Sequence, residues 1–129
     1  MKKEDIVYFL FLEVKKKMEI VNLTPHSIIL YTDEGKKIEI PPSGTIARVH
    51  ESTEIIGKIQ VETDGNIPVI RKTLGQVENL PEPREGTIYI VSLIVAQALA
   101  GTRSDVHVIG ESIRDKEGRV IGARSLAQL

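Results

Sequence analysis

The chain contains no cysteine and no tryptophan, and only 4% of its 129 residues are aromatic. Without cysteine there is no disulfide framework, no thiolate zinc site, no iron–sulfur cluster and no cysteine nucleophile. With so few rings, base stacking on single-stranded nucleic acid is poorly served. An excess of one charge is missing too. Seventeen basic against eighteen acidic side chains leave a formal net charge of -1, so no global field draws the protein onto nucleic acid or an anionic membrane. The apolar run Ile6 to Leu12 falls far short of the roughly 18 residues that cross a bilayer. It does not read as a secretion signal either: Glu4 and Asp5 spoil a positive leader, Glu13 and Lys15 to Lys17 close the run, and no small-residue cleavage site follows. A cytoplasmic protein without membrane association is expected.

Several chemical signatures are absent as well. His26, His50 and His107 are widely separated and form no H-x-x-x-H or H-x-H pair, so no metal site is signalled. The glycines never assemble into G-x-G-x-x-G or a P-loop, which leaves ATP and NAD chemistry unsupported and no cofactor expected. Val91-Ser92-Leu93 lacks the glycines of a nucleophile elbow. Helix capping explains Ser92 better.

What is present is an ordinary globular composition, 41% apolar and 27% charged, in a length that suits one core. Frequent Ile, Glu and Lys without Cys is a composition favoured where heat selects against labile side chains, which fits a warm-growing prokaryote. Met18 offers an alternative start. Residues 1–17 then form an appended segment, helical if Ile6, Phe9, Leu10 and Val14 share a face; the other reading is an authentic first element packed on the core.

From residue 18 onward turn formers cut the chain into strand-length runs. Ser27 to Thr32 and the alternating Ile38 and Ile40 flank Asp33-Glu34-Gly35 as a hairpin, and Pro41-Pro42-Ser43-Gly44 turns the chain into Thr45 to Val49. Ile55, Gly57, Ile59 and Val61 alternate with Ile56, Lys58, Gln60 and Glu62, predicting one apolar and one mostly polar face. Asp64-Gly65-Asn66 then turns into Ile67 to Thr73, with Pro68 marking an edge. Gly75 to Gly86 reads as a loop. Thr87 to Val91 is continuously apolar, the pattern of a strand covered on both faces. Leu93 to Ala100, ended by Gly101, predicts a short helix, apolar nearly all round and therefore expected to be covered. Strands follow around Val106 to Val108, where His107 faces the opposite side, and over Arg119 to Ser125 after an Asp115 to Gly118 turn. The expected fold is mainly β, α+β by strict count. It is an antiparallel barrel or sandwich of about eight short strands with one buried helix near 93–100, formed by a single domain over 18–129.

The candidate site residues come from element ends. Arg103 with Asp105, and Arg114 with Asp115, offer anion-binding forks or, equally, ion pairs that fasten loops. His26, presented by the Thr24-Pro25-His26 turn, is the one candidate acid or base. Arg71, Arg119 and Arg124, with Lys58 and Lys72, would have to share a face to bind nucleic acid.

Asn22-Leu23-Thr24-Pro25-His26, Pro41-Pro42-Ser43-Gly44, Ala47-Arg48-Val49, Tyr89-Ile90-Val91-Ser92 and Arg114-Asp115 with Gly118 together resemble a family of small uncharacterised proteins from prokaryotic and phage genomes. The resemblance covers about residues 18–126 and implies a shared fold and no activity. Three functions are therefore carried forward. The first is a binding or assembly module that meets a protein partner or its own copies. The second is a small metal-independent enzyme acting on a phosphorylated or carboxylated small molecule, and the third a nucleic-acid accessory protein.

Overall fold

The structure, a computed structural model, describes residues 17–129. The appended segment expected at the amino terminus lies outside them up to residue 16. Ten strands and one helix follow: β1 (Glu19–Asn22), β2 (Ile28–Tyr31), β3 (Lys37–Ile40), β4 (Arg48–Val61), β5 (Gly65–Glu78), β6 (Thr87–Ile90), α1 (Leu93–Leu99), β7 (Val106–Ile109), β8 (Ser112–Arg114), β9 (Val120–Ala123) and β10 (Leu126–Ala127). The described residues are mainly β with one short helix, as the sequence pattern predicts.

The strands form two four-stranded sheets and a separate ribbon. The central sheet has the order β1-β6-β7-β10, the outer sheet β3-β2-β9-β8, and among the described residues β4 pairs only with β5. Among the described residues no sheet closes into a barrel, and the sheets are mixed: β1, β6 and β7 run parallel, as do β2 and β9. The parallel pairing follows from the connections. The α1 crossover between β6 and β7 returns the chain in the same direction, which a tight hairpin cannot do.

Alternation along the central sheet creates two cores. Tyr89, Val106 and Val108 point to one face, where Leu23, Ala47, Val91, Val95 and Ala96 pack on them and the ribbon's base joins through Val49 and Val77. Ile90, fully buried, points to the other face and meets Ile28, Leu30, Ile40 and Ala123 of the outer sheet region. The result is a sandwich of two sheets with a third layer formed by α1 and the ribbon's base. This explains the continuous apolar run over β6, which is covered from both sides.

Helix α1 is less covered than its composition predicts. Val95 and Ala96 are buried, whereas Leu93 and Ile94 remain exposed at its start. Ser92 occupies the N-cap position, but its hydroxyl makes no capping hydrogen bond. At the other end Ala100 adopts φ 48°, donating its N–H to the Ala96 and Gln97 carbonyls, before Gly101 continues in the left-handed region. The predicted loop over Gly75 to Gly86 is shorter than expected, because β5 runs to Glu78. Its last residues stay extended because Val77 pairs with Val49 and both pack on the core.

Candidate functional site

The motif that carries the sequence resemblance is a structural joint. Asn22 ends β1 almost fully buried, and its amide donates to the carbonyl oxygens of His26 at 2.8 Å and Ile40 at 3.1 Å. Its Oδ1 accepts from the Thr24 N–H at 2.9 Å and from the Thr24 hydroxyl at 2.7 Å. Every donor and acceptor of the amide is used. The side chain thus shapes its own turn and ties the central sheet to β3, and His26 enters through its backbone carbonyl while its ring lies at an exposed position.

The paired residues of the carboxyl-terminal third are also mutually engaged. Arg103 donates two hydrogen bonds of 2.8 Å to Asp105, from Nε and Nη2, and Nη2 also donates to the Pro81 carbonyl at 2.9 Å. Both side chains are about four-fifths covered. The Arg103 hydrogen bond holds the Asp105 carboxyl below the usual carboxylate range, against the opposing effect of burial. This pair straps the loop before β6 to the start of β7.

Arg114 donates to the Gly118 carbonyl at 2.7 Å. Asp115 accepts the backbone N–H groups of Arg119 and Glu117, both at 2.9 Å, and the Arg119 side chain at 3.0 Å; these bonds, the Arg119 N–H foremost, lower its pKa. Arg103 and Arg114 therefore stand in separate turns, each already bonded. Among the basic residues weighed for nucleic acid, Arg71 pairs with Glu54, Lys72 with Glu51, Arg119 with Asp115 and Glu117, and Arg124 with Glu111.

The fold does bring together two residues the sequence left apart. Ser92 and His50 line one open depression of about 320 Å³, and His50 Nε2 lies 3.1 Å from Glu78 Oε1. The His50 and Glu78 side chains are largely in water, at 78% and 55% exposure, and no hydrogen bond joins Ser92 to His50 among the described residues. A nucleophilic triad needs an oriented, partly buried histidine bonded to its serine, and this arrangement does not supply one. His107, expected to face solvent, is half-buried. Its Nδ1 is buried without a partner, and its Nε2 lies 3.3 Å from Gln128 Nε2. Among the described residues no cluster of three or more His, Asp or Glu is placed to hold a metal, and no helix is long and apolar enough to cross a membrane.

The most unusual surface is the ribbon of β4 and β5, an arm of two 14-residue strands, which at about 3.3 Å per residue is roughly 45 Å long. Its base is anchored by Val49 and Val77 in the core and by Asn79, whose side chain bonds the Ile46 carbonyl at 3.2 Å. Beyond the base the arm leaves the body, and every residue from His50 to Pro68 is exposed. Ile55, Ile56, Ile59, Val61, Ile67 and Ile70 are between 37% and 70% exposed.

A bulge at Ile56 decides where these side chains point. Ile55 pairs with Ile70 and Gly57 with Val69, so the strand gains one residue between those rungs. Ile59, Val61, Ile67 and Val69 consequently share one face of the distal arm, whereas Ile55 and Ile70 lie on the opposite face. The single apolar face expected for Ile55 to Val61 is thus split in two, and neither half packs on the body. The tip is a turn of Glu62, Thr63 and Asp64, two residues earlier than the expected Asp64-Gly65-Asn66, closed by the Asp64 N–H on the Val61 carbonyl at 2.8 Å. Gly65, at φ 111°, opens β5.

An isolated two-stranded ribbon is only marginally stable in water. Covering six half-exposed Ile and Val side chains is worth roughly 1 kcal/mol each, on the order of 5 kcal/mol for the arm. The sequence signal for this was present in adjacent Ile55 and Ile56, which cannot share one face of a regular strand.

Compared with known proteins, the chain matches no family model, no curated protein and no solved structure.

Proposed function

We propose that the protein is a non-enzymatic assembly module: a small sandwich body that carries the β4–β5 arm as its contact element. One observation carries this reading. Six Ile and Val side chains are held in water on a ribbon whose strands, among the described residues, pair only with each other. Exposed apolar surface of that extent on a projecting element marks an interaction site.

The edges of the ribbon are guarded in the way edge strands commonly are, by Pro68, by the bulge at Ile56 and by Lys58 and Lys72. The partner is therefore met by the faces of the arm and not by strand addition. The residues weighed for an enzyme support that reading less well, since Arg103 and Arg114 are occupied by Asp105 and by backbone carbonyls.

The test is the native size of the protein in lysates of the cells that produce it. The wild-type chain is expected in a discrete species larger than its 14.3 kDa, and the Ile59→Lys/Ile67→Lys variant at monomer size. A wild-type monomer, or a variant of unchanged size, overturns the proposal.

A further inference from the structure

We infer that the β4–β5 arm is hinged at its root and swings as a stiff unit about the joint formed by His50, Gly75 and Gln76, where it leaves the body. This device is independent of what the arm meets, since it concerns only how the ribbon is joined to the sandwich. The ladder, the side chains and the bracing on either side all point to that joint.

Val49 pairs with Val77 and Glu51 with Leu74, so between those rungs His50 alone stands against both Gly75 and Gln76. Such a bulge leaves one residue of β5 unpaired and interrupts the regular ladder. In a wide sheet the neighbouring strands would stiffen the break. Here, among the described residues, β4 and β5 have no other neighbour in their sheet.

Side chains do not bridge the gap either. Gly75 contributes none, and a Cβ built there would meet only the His50 backbone oxygen at 3.4 Å and its Cβ at 3.8 Å. The His50 ring turns back to Glu78, which lies on the body side of the joint, at 3.1 Å. Among the described residues no side-chain hydrogen bond or ion pair ties residues 51–74 to the body, and none of them belongs to either core cluster.

Both flanks of the joint are braced. On the body side Val49 and Val77 pack on the core and Asn79 bonds the Ile46 carbonyl. On the arm side five consecutive rungs, from Glu51/Leu74 to Ile55/Ile70, are unbroken, and Lys72–Glu51 and Arg71–Glu54 pair across them at 3.5 and 3.6 Å. The second bulge, at Ile56, is flanked by the branched side chains of Ile55, Val69 and Ile70, which are stiff at χ1 and resist a bend. At about 3.3 Å per residue the tip lies roughly 35 Å beyond the joint, so a swing of about 20° at the root carries it about 12 Å.

Because the chain lacks cysteine, pairs of spin labels read this motion. Val120→Cys/Thr63→Cys spans the joint from body to tip, whereas Thr53→Cys/Thr63→Cys stays within the arm and crosses only the Ile56 bulge. The purified full chain is labelled and diluted into unlabelled chain, so that double electron–electron resonance counts distances within one molecule. The body-to-tip distribution is expected to be at least about twice as wide as the intra-arm one. Deleting Gln76, which gives His50 a single partner and a continuous ladder, is expected to narrow it toward the intra-arm width, with circular dichroism confirming the fold. Should that deletion fail to fold, Gly75→Val, which puts a branched side chain at the same place, is expected to narrow it likewise. A body-to-tip distribution no wider than the intra-arm one, or a width unchanged in the folded variant, overturns the inference.

Discussion

Ile59 and Ile67 are register partners across the distal arm and are 56% and 55% exposed, so the rung at the centre of the ribbon's apolar face presents two isoleucines to water. In a core strand such a pair would be the most covered part of the hairpin. Here it lies well beyond the anchor at Val49 and Val77, which separates what the arm does from what holds the body together.

That separation has a measurable consequence. Replacing both residues by Lys should leave the thermal midpoint of the purified protein within about 2 °C of wild type, because substitutions at exposed positions usually change stability by less than about 0.5 kcal/mol. Differential scanning calorimetry at a concentration where the protein is dissociated checks this. A fall of about 8 °C or more would mean that the arm packs on the body.

The turn built by Asn22 predicts the opposite behaviour for a residue with the same exposure to motif-based suspicion. Asn22→Ala strands the Ile40 carbonyl in a buried place and frees the Thr24 N–H and hydroxyl. The expected cost is about 2–4 kcal/mol in urea unfolding. Asn22→Asp should be no better, since a carboxylate cannot donate to the Ile40 and His26 carbonyls. His26→Ala, whose backbone carbonyl is kept, should cost little.

Acid should weaken the protein through Asp105 and Asp115, both of which have lowered carboxyl pKa values in the folded chain. The unfolded state then binds protons more readily, so the stability they contribute is present above the ordinary carboxylate value and is lost as pH falls through the folded one. Stability is expected to be level in this respect above about pH 5 and to decline below about pH 4. Asp105→Asn should flatten part of that acid limb. A limb unchanged in slope would place the linkage elsewhere.

A stabilising change is available at the end of α1. Ala100 sits at φ 48°, where a Cβ is strained. Ala100→Gly should raise the unfolding free energy by about 0.5–1 kcal/mol, the strain relieved exceeding the entropy a glycine adds to the unfolded chain. A loss of stability on the same assay would contradict that reading of the cap.

Much of the body was legible from local chemistry. The Asp33-Glu34-Gly35 turn, the doubly covered run over β6 and the short helix after Ser92 each rest on short-range rules, and each appears in the structure, the helix closed by Ala100 one residue before the expected Gly101. Strand order was not legible, because nothing local says that β2 pairs parallel with β9, more than 80 residues later in the chain. Nor was the meaning of the candidate site residues. Arg103 and Asp115 have the residue types of functional groups, and only their partners reveal that they are straps, just as only its partners show Asn22 of the resemblance motif to be a turn former. The arm was read as a hairpin from its alternation. The same alternation predicts one apolar face, yet exposure depends on what lies opposite, and the Ile56 bulge turns one stripe into two.

The measurement that tests the central claim most directly is site-specific photo-crosslinking in the producing cells, with the reactive side chain at Ile59 on the arm or at Val120 on the body. The account predicts a discrete adduct from position 59 and none from position 120. Adducts from position 120 alone, or none from either, would contradict it.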